Sequence, residues 1–199
     1  EREAAEDAAS KKQRVERNGD ASGEKDQGRE KSKTSPDQTF FKLLMPNKDL
    51  GRIIGKAGAT IKAIQEKSGA RVKVSKSTDY SPWTEGRVVG LSGQQSKIGK
   101  AIAAILKEVS SETLNISLSL LIPDESCGLV RATINKMEET SGAKISLQLK
   151  EKTPAGAQER VVTVVGSMHT VCEGAEVVLQ KIYEDPDCKY LNTTTTHVW

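Results

Sequence analysis

The segment Gly51-Arg52-Ile53-Ile54-Gly55-Lys56-Ala57-Gly58-Ala59-Thr60-Ile61 sets two glycines three apart with Lys56 and Ala57 between them. An apolar turn precedes this pair and a helical pattern follows it. Bare backbone amides in a tight loop at a helix start, with a lysine among them, suit a phosphate. The N–H groups donate hydrogen bonds and the helix dipole favours an anion. Glycines carry no side chain, so a sugar-phosphate backbone can come close. The stretch has some likeness to a P-loop, but Gly51 to Gly55-Lys56 is one residue short and Ala57 stands where a Ser or Thr would hold magnesium. No acidic metal-binding cluster follows on an apolar strand. Only His169 and His197 are present, so no Ser/His/Asp or Cys/His set can be assembled, and an enzyme is not expected.

Charge is concentrated around this loop. The whole chain of 199 residues carries a net +3, but residues 40–110 hold 13 basic and 5 acidic side chains, a net +8. Residues 111–185 hold 7 basic and 11 acidic, a net −4, and residues 1–39 hold 9 and 10. The middle segment therefore supplies the field that draws a polyanion. Cys127, Cys172 and Cys188 lie far apart with no Cys-x-x-Cys. That argues against a zinc site, against a disulfide framework and for a reducing intracellular compartment. No metal or cofactor is expected, and the sequons at Asn115 and Asn192 read as chance. No apolar run is long enough to span a bilayer or to form a signal peptide. The chain opens on Glu1 rather than methionine, which points to a fragment of a longer protein.

The elements that must position the loop follow from pattern. Residues 1–38 are charged, with almost no apolar side chains, and are expected to be disordered. The start, to Val15, has helix-forming composition, and Lys11-Lys12-Gln13-Arg14 reads either as a short nuclear localisation signal or as a solvated charge run. Phe40–Met45 is a strand ended by Pro46. Ala59–Lys67 is a helix with Ile61 and Ile64 on one face, stopped at Ser68-Gly69. Arg71–Val74 and Arg87–Leu91 alternate as strands on either side of a polar loop, Ser75–Glu85. Ser96–Val109 is a helix with Ile98, Ile102, Ile105 and Val109 in one stripe.

This order then recurs. Leu114–Ile122 is a strand ended by Pro123, Ala132–Thr140 a helix stopped at Ser141-Gly142-Ala143, Lys144–Leu149 and Arg160–Val165 strands, and Thr170–Tyr183 a closing helix. Ala59-Thr60-Ile61 matches Ala132-Thr133-Ile134, Val72 matches Ile145, Arg87 matches Arg160 and Gly93 matches Gly166, every pair 73 apart. The chain is an internal duplication: a first domain at 39–110, a second at 111–185, and a tail at 186–199. A linker as short as Ser110–Thr113 implies that the two domains pack together.

Phe41-x-Leu43-Leu44-Met45-Pro46, Gly51-Arg52-Ile53-Ile54-Gly55-Lys56-Ala57-Gly58, Ile61-x-x-Ile64, Ser68-Gly69-Ala70 and Val74-Ser75-Lys76-Ser77 together resemble a type I KH domain of the Nova-type and poly(C)-binding families. The loop at 75–88 is similar to theirs in length and composition. The resemblance covers residues 40–185. It implies an α+β fold of two tandem KH domains, each βααββα, with a three-stranded antiparallel sheet on three helices. It also implies pairing through first strands and last helices, hence an intramolecular pseudodimer.

The family's mechanism is a narrow groove for about four single-stranded nucleotides, its Gly-x-x-Gly loop holding the backbone. Carried over, Gly55, Lys56, Ala57 and Gly58 would hold phosphates, with Arg52 beside them. Gly51, Ile54, Ile61 and Val72 would form the apolar floor, although Ile61 serves equally well as core. Arg87 would read a base edge, a cytosine by family likeness, through its fork of donors. Asn47 stands where relatives carry another base-reading residue, and Lys73 and Lys76 would attract the backbone. Trp83 either stacks on a base or packs the loop, while Lys97, Lys100 and Lys107 read as a solvated helix face.

In the second domain four residues are missing around the loop, since Pro46 to Ala59 is 13 positions and Pro123 to Ala132 is 9. With the offset of 73, Gly55 falls on Gly128 and Gly58 on Arg131, a degenerate clamp. Arg160 and Ile145 keep the base-reading and groove positions, so Gly128, Arg131, Ile145 and Arg160 mark a weaker second site. The resemblance implies sequence-selective binding of pyrimidine-rich single-stranded RNA by the first domain, in splicing or messenger regulation, in nucleus or cytoplasm. The acidic second domain would be structural or bind protein. A protein-interaction scaffold and a single-stranded DNA binder are the alternatives, and no membrane partner is expected.

Overall fold

The computed structural model describes residues 39–76, 86–110, 115–153 and 155–185. The charged N-terminal segment with its basic motif, residues 77–85 with Trp83, most of the linker and the tail with Cys188 lie outside the described residues.

Alternation in β1 (Thr39–Pro46) sends Phe41, Leu43 and Met45 into the core and Phe40, Lys42 and Leu44 to the other face of the sheet. Pro46 ends the strand, and α1 (Asn47–Ile54) buries Leu50 and Ile53. Next come α2 (Ala59–Ser68), β2 (Arg71–Val74), β3 (Gly86–Gly93) and α3 (Gln95–Val109). The predicted stripe of α3 buries Ile98, Ile102 and Ile105 with Leu106, while Val109 is half-buried. The second half has β4 (Ile116–Pro123), α4 (Cys127–Ser141), β5 (Lys144–Leu147), β6 (Glu159–Gly166) and α5 (Met168–Tyr183).

The Ser-Gly-Ala stop works identically in both halves. Ser68 Oγ donates to the Ile64 carbonyl at 2.7 Å and accepts from the Ala70 N–H at 3.2 Å. Ser141 repeats this with Met137 at 2.7 Å and Ala143 at 3.2 Å. Gly69 and Gly142, at φ 70° and 67°, then close α2 and α4 in the left-handed region that glycine accepts at little cost.

All six strands form one antiparallel sheet in the order β2-β3-β1-β4-β6-β5. The two halves join at β1 and β4, where Leu43 sits opposite Leu120. These two leucines occupy the same position in their repeats, 77 apart and both preceding a proline by three. The seam is therefore centred on a local two-fold. On the helical side α3 packs on α5, so closely that a Cβ on Gly99 would fall 2.2 Å from Glu176 Oε1. On the other face Lys42 Nζ donates to Glu159 Oε1 at 2.8 Å, a nearly buried ion pair between the halves.

The edge strands β2 and β5 are protected in kind. Gln65 Oε1 accepts the Val72 N–H at 3.0 Å, and Glu138 Oε1 accepts the Ile145 N–H at 2.7 Å. An occupied edge amide is a poor template for a foreign strand.

One expectation is corrected. Three helices were expected on each half-sheet, but the second half has two, because α4 runs unbroken from Cys127 to Ser141. The four missing residues are the ones that separate α1 from α2 in the first half. Their loss, about one turn of helix, lets the two segments continue as one.

Leu43→Ala removes a fully buried side chain at the seam. It should cost about 3 kcal/mol and weaken amide protection in β6 as well as β3, measured by hydrogen exchange; protection lost in the first half alone would contradict a shared sheet. Glu138 gives the second half an acid dependence that Gln65 spares the first. The Ile145 N–H, then Lys144, hold its carboxyl below the usual range. A lowered folded value means the stabilisation is present above the unfolded pKa, about 4.3, and fades as pH falls through the folded one. Thermal melts between pH 5 and pH 3 should therefore fall less steeply for Glu138→Gln than for the native chain.

Candidate nucleic-acid interface

The loop between α1 and α2 is built from backbone. α1 closes with the Gly55 N–H on the Gly51 carbonyl at 3.0 Å, and Lys56–Gly58 make a single tight turn. Gly55, Ala57 and Gly58 have φ of 70°, 50° and 79°. A Cβ on Gly55 would meet Thr60 Oγ1 at 2.1 Å and the Thr60 nitrogen at 2.9 Å, so position 55 admits only glycine. Ala57 is the one non-glycine at positive φ among the described residues. That conformation costs of order 1 kcal/mol and is found where a loop shape serves a purpose. α2 starts directly after Gly58 with no side chain capping it, so its positive end faces outward beside the exposed Lys56. A helix, α1, separates the loop from β1, whereas a P-loop joins strand to helix directly. The resemblance to that motif ends there.

Gly51 lies mid-helix and exposed, with nothing within 4 Å of where its Cβ would be. Glycine costs about 1 kcal/mol in a helix interior, and no packing in the fold requires it here. Open space beside a helical glycine fits close approach by a ligand. Ile54 and Ile61 are half-buried, and Ile61 packs against the core. Val72, expected on the floor, is core at 5% exposure. Strand alternation turns it under the helices, and half-buried Val74, two residues on, is the more open position.

Arg87 is buried at the start of β3. Its Nη1 donates to Asn47 Oδ1 at 3.1 Å and its Nη2 to the Ser75 carbonyl, while among the described residues Nε has no partner. Asn47 thus holds the guanidinium in plane, a role that sequence reasoning missed, and as a neutral amide it leaves the charge uncompensated. Lys56 and Lys76 are exposed as expected. Lys73 is exposed but alternates to the sheet face opposite Val72 and Val74, away from the helices. Arg52 Nη1 donates to the Val109 carbonyl at 3.0 Å and so ties α1 to the end of α3. Of the helix lysines, Lys100 and Lys107 are solvated and Lys97 is half-buried.

The second half requires a correction of register. From Pro123 to Arg131 the offset to the first half is 77, and from Ala132 it is 73. Leu50 and Cys127 are both buried, as are Ile53 and Val130, which confirms the earlier offset on α4. Gly128 therefore corresponds to Gly51, not Gly55, and Arg131 to Ile54. The missing residues are Gly55–Gly58 themselves: the loop is absent, not degenerate. Gly128 keeps the open space of Gly51, Arg131 is exposed, and Ile145, like Val72, is core. Arg160 repeats Arg87, with Nη2 on the Gln148 carbonyl and Nη1 3.6 Å from Asp124 Oδ1. Asp124 occupies the place of Asn47, so here the arginine is neutralised. Cys127 beneath them is pushed up to about 11 by burial, against a smaller opposing pull from Arg160, and remains a thiol. Among the described residues no cluster of His, Cys, Asp and Glu could hold a metal, and no helix is long and apolar enough to cross a membrane.

Comparison with known proteins matches the KH-domain model to residues 40–107 and again to 117–180. RNA-binding protein Nova-2 of Homo sapiens is 33% identical over 174 residues, which take in 74% of this chain and 35% of that protein. RNA-binding protein Pasilla of Drosophila melanogaster is 30% identical over 166 residues, 73% of this chain and 21% of that one. The chain thus spans about a third and a fifth of these relatives. Among solved structures, a chain in the a/eIF2alpha-aDim2p-rRNA complex from Pyrococcus horikoshii OT3 overlaps with a TM-score of 0.30 at 14% identity, covering 75% of this chain and 88% of that chain.

Proposed function

The chain belongs to the KH-domain family, and from that premise we propose that its first repeat binds single-stranded RNA with a preference for cytosine-containing pyrimidine motifs. The observation that carries this is the Gly55–Gly58 turn, three positive-φ residues set at the uncapped start of α2. The turn offers a phosphate the helix end, Lys56 and a close backbone approach. Gly51, Ile54 and Ile61 then take the bases, and the spare N–H groups of Arg87 donate to base-edge acceptors such as cytosine O2 and N3. Lys76 extends the attraction for the backbone. The net +8 of residues 40–110 raises the encounter rate and makes affinity fall with salt. Messenger processing is the cellular setting this reading suggests.

In this reading the second repeat, lacking the turn and carrying a net −4, chiefly completes the sheet. A protein-docking role for it is favoured by the replacement of Asn47 with Asp124, which cancels the charge of its arginine.

Lys56→Asp with Ala57→Asp tests the first-repeat assignment. Aspartate tolerates positive φ better than most residues, so the turn keeps its shape while its charge reverses. Fluorescence anisotropy should show affinity for a cytidine-rich RNA falling by about 100-fold or more, with the melting temperature unchanged. Undiminished affinity would sink the assignment. Running the matched DNA alongside tells an RNA-selective groove from one that takes either strand.

A further inference from the structure

On the face of the sheet away from the helices, the seam breaks its own two-fold symmetry. On one side of the axis Lys42 and Glu159 form the nearly buried ion pair. With an offset of 77 on β4 and 73 on β6, the equivalents of these residues across the axis are Ser119 and Gly86. Neither carries enough side chain to fill the volume that the ion pair fills. A cavity of about 460 Å³ opens there, lined by Leu44, Pro46, Lys48, Gly86, Ser119 and Val161 among others. The molecule therefore has this opening on one side of its axis and a closed ion pair on the other.

The walls are aliphatic. Leu44 lies over Gly86, where a Cβ would fall 2.6 Å from its Cδ2, and Pro46 and Val161 continue the lining. The polar side chains at the cavity can all donate. Ser119 has a hydroxyl, and Asn47, whose Oδ1 is taken by Arg87, has its amide N–H groups left over. Lys48 is exposed and has no ion partner among the described residues. The wider face has the same sign. Arg71 and Lys73 stand exposed on β2, and Glu159, the one carboxylate on the described strands, is taken up by Lys42. Aliphatic walls with donors and a cation beside them suit a bulky apolar group that carries a carboxylate next to it. A nucleobase fits less well, because its polar edge would lose water against Leu44, Pro46 and Val161, which return no hydrogen bonds from their side chains.

We propose that this cavity is the docking site of a partner protein, which inserts one large apolar side chain from an acidic segment. The exposed sheet face around it gives that segment room to lie, with Lys48 placed to meet its carboxylates. Both repeats line the cavity, Leu44 and Gly86 from the first and Ser119 and Val161 from the second, so the site exists only where the two are joined.

The test selects a displayed library of random peptides on the whole native chain and counter-selects it on the whole chain carrying Ser119→Phe, whose ring takes up the cavity. The enriched peptides should share a Leu, Phe or Trp beside Asp or Glu. Labelled for fluorescence anisotropy, such a peptide should bind the Ser119→Phe chain about tenfold or more weakly than the native one. Lys48→Glu, which leaves the cavity open, should also weaken it, and more at low salt than at high. In the native chain the amide resonances of Ser119 and Val161 should shift with the peptide. If Ser119→Phe lowers the melting temperature, Lys48→Glu and these resonances decide. A library that enriches no peptide, or peptides that bind both variants as tightly as the native chain, would overturn the proposal. So would a loss of affinity for a cytidine-rich RNA in a stably folded Ser119→Phe chain, which would assign the cavity to the nucleic acid instead.

Discussion

Everything in this molecule is hung on the pairing of β1 with β4 about Leu43 and Leu120. A three-stranded KH sheet ends on its own first strand, an edge with exposed amides and carbonyls. Here each repeat supplies the cover for the other, so two such edges become the centre of one sheet. The leucines at the centre are fully buried, α3 and α5 close over the same seam, and the Lys42–Glu159 pair spans it on the far face. The second repeat is thus the structural neighbour of the first along this seam.

The same constraint explains how the halves have diverged. The sheet and the closing helices must stay alike for the seam to match, and they do, with the serine stops and the Gln65 and Glu138 edge contacts repeated atom for atom. The Gly55–Gly58 stretch takes no part in the strand pairing of the seam and is where the halves differ. In one half it breaks a helix in two with a turn that only glycine can start. In the other that turn is gone and the helix runs through. Among the described residues a strained non-glycine backbone occurs only in the first half, at Ala57 beside the exposed Lys56.

The buried arginines show a finer division. Arg87 and Arg160 are anchored to equivalent carbonyls, of Ser75 and Gln148, by the same nitrogen. Their difference is one atom type across the strand, an amide oxygen of Asn47 against a carboxylate oxygen of Asp124. A neutral partner orients a cation without cancelling it, and an anion does both. The two arginines, alike in their anchoring, therefore sit in different local fields.

Much was legible in the residues alone. The glycine pair about Lys56 and Ala57, the alternating strands, the helix stripes and the offset of 73 from Ala59 onward are local or periodic signals, and each reports the geometry of the chain near itself. They were enough for the fold class, the duplication, the family likeness and the residues of the loop. Three things needed the folded chain. The equivalence of Gly128 to Gly51 depends on which side of a deletion a residue falls, and only the burial of Cys127 and Val130 fixes that. The roles of Val72 and Ile145 as core, and of Lys73 on the opposite face, depend on where the helices lie over the strands. The hold of Asn47 on Arg87 joins residues 40 apart in sequence. Spacing along a chain determines what a segment can become, while charge partners and open faces are set by contacts between segments, and those exist only once the sheet has closed around its seam.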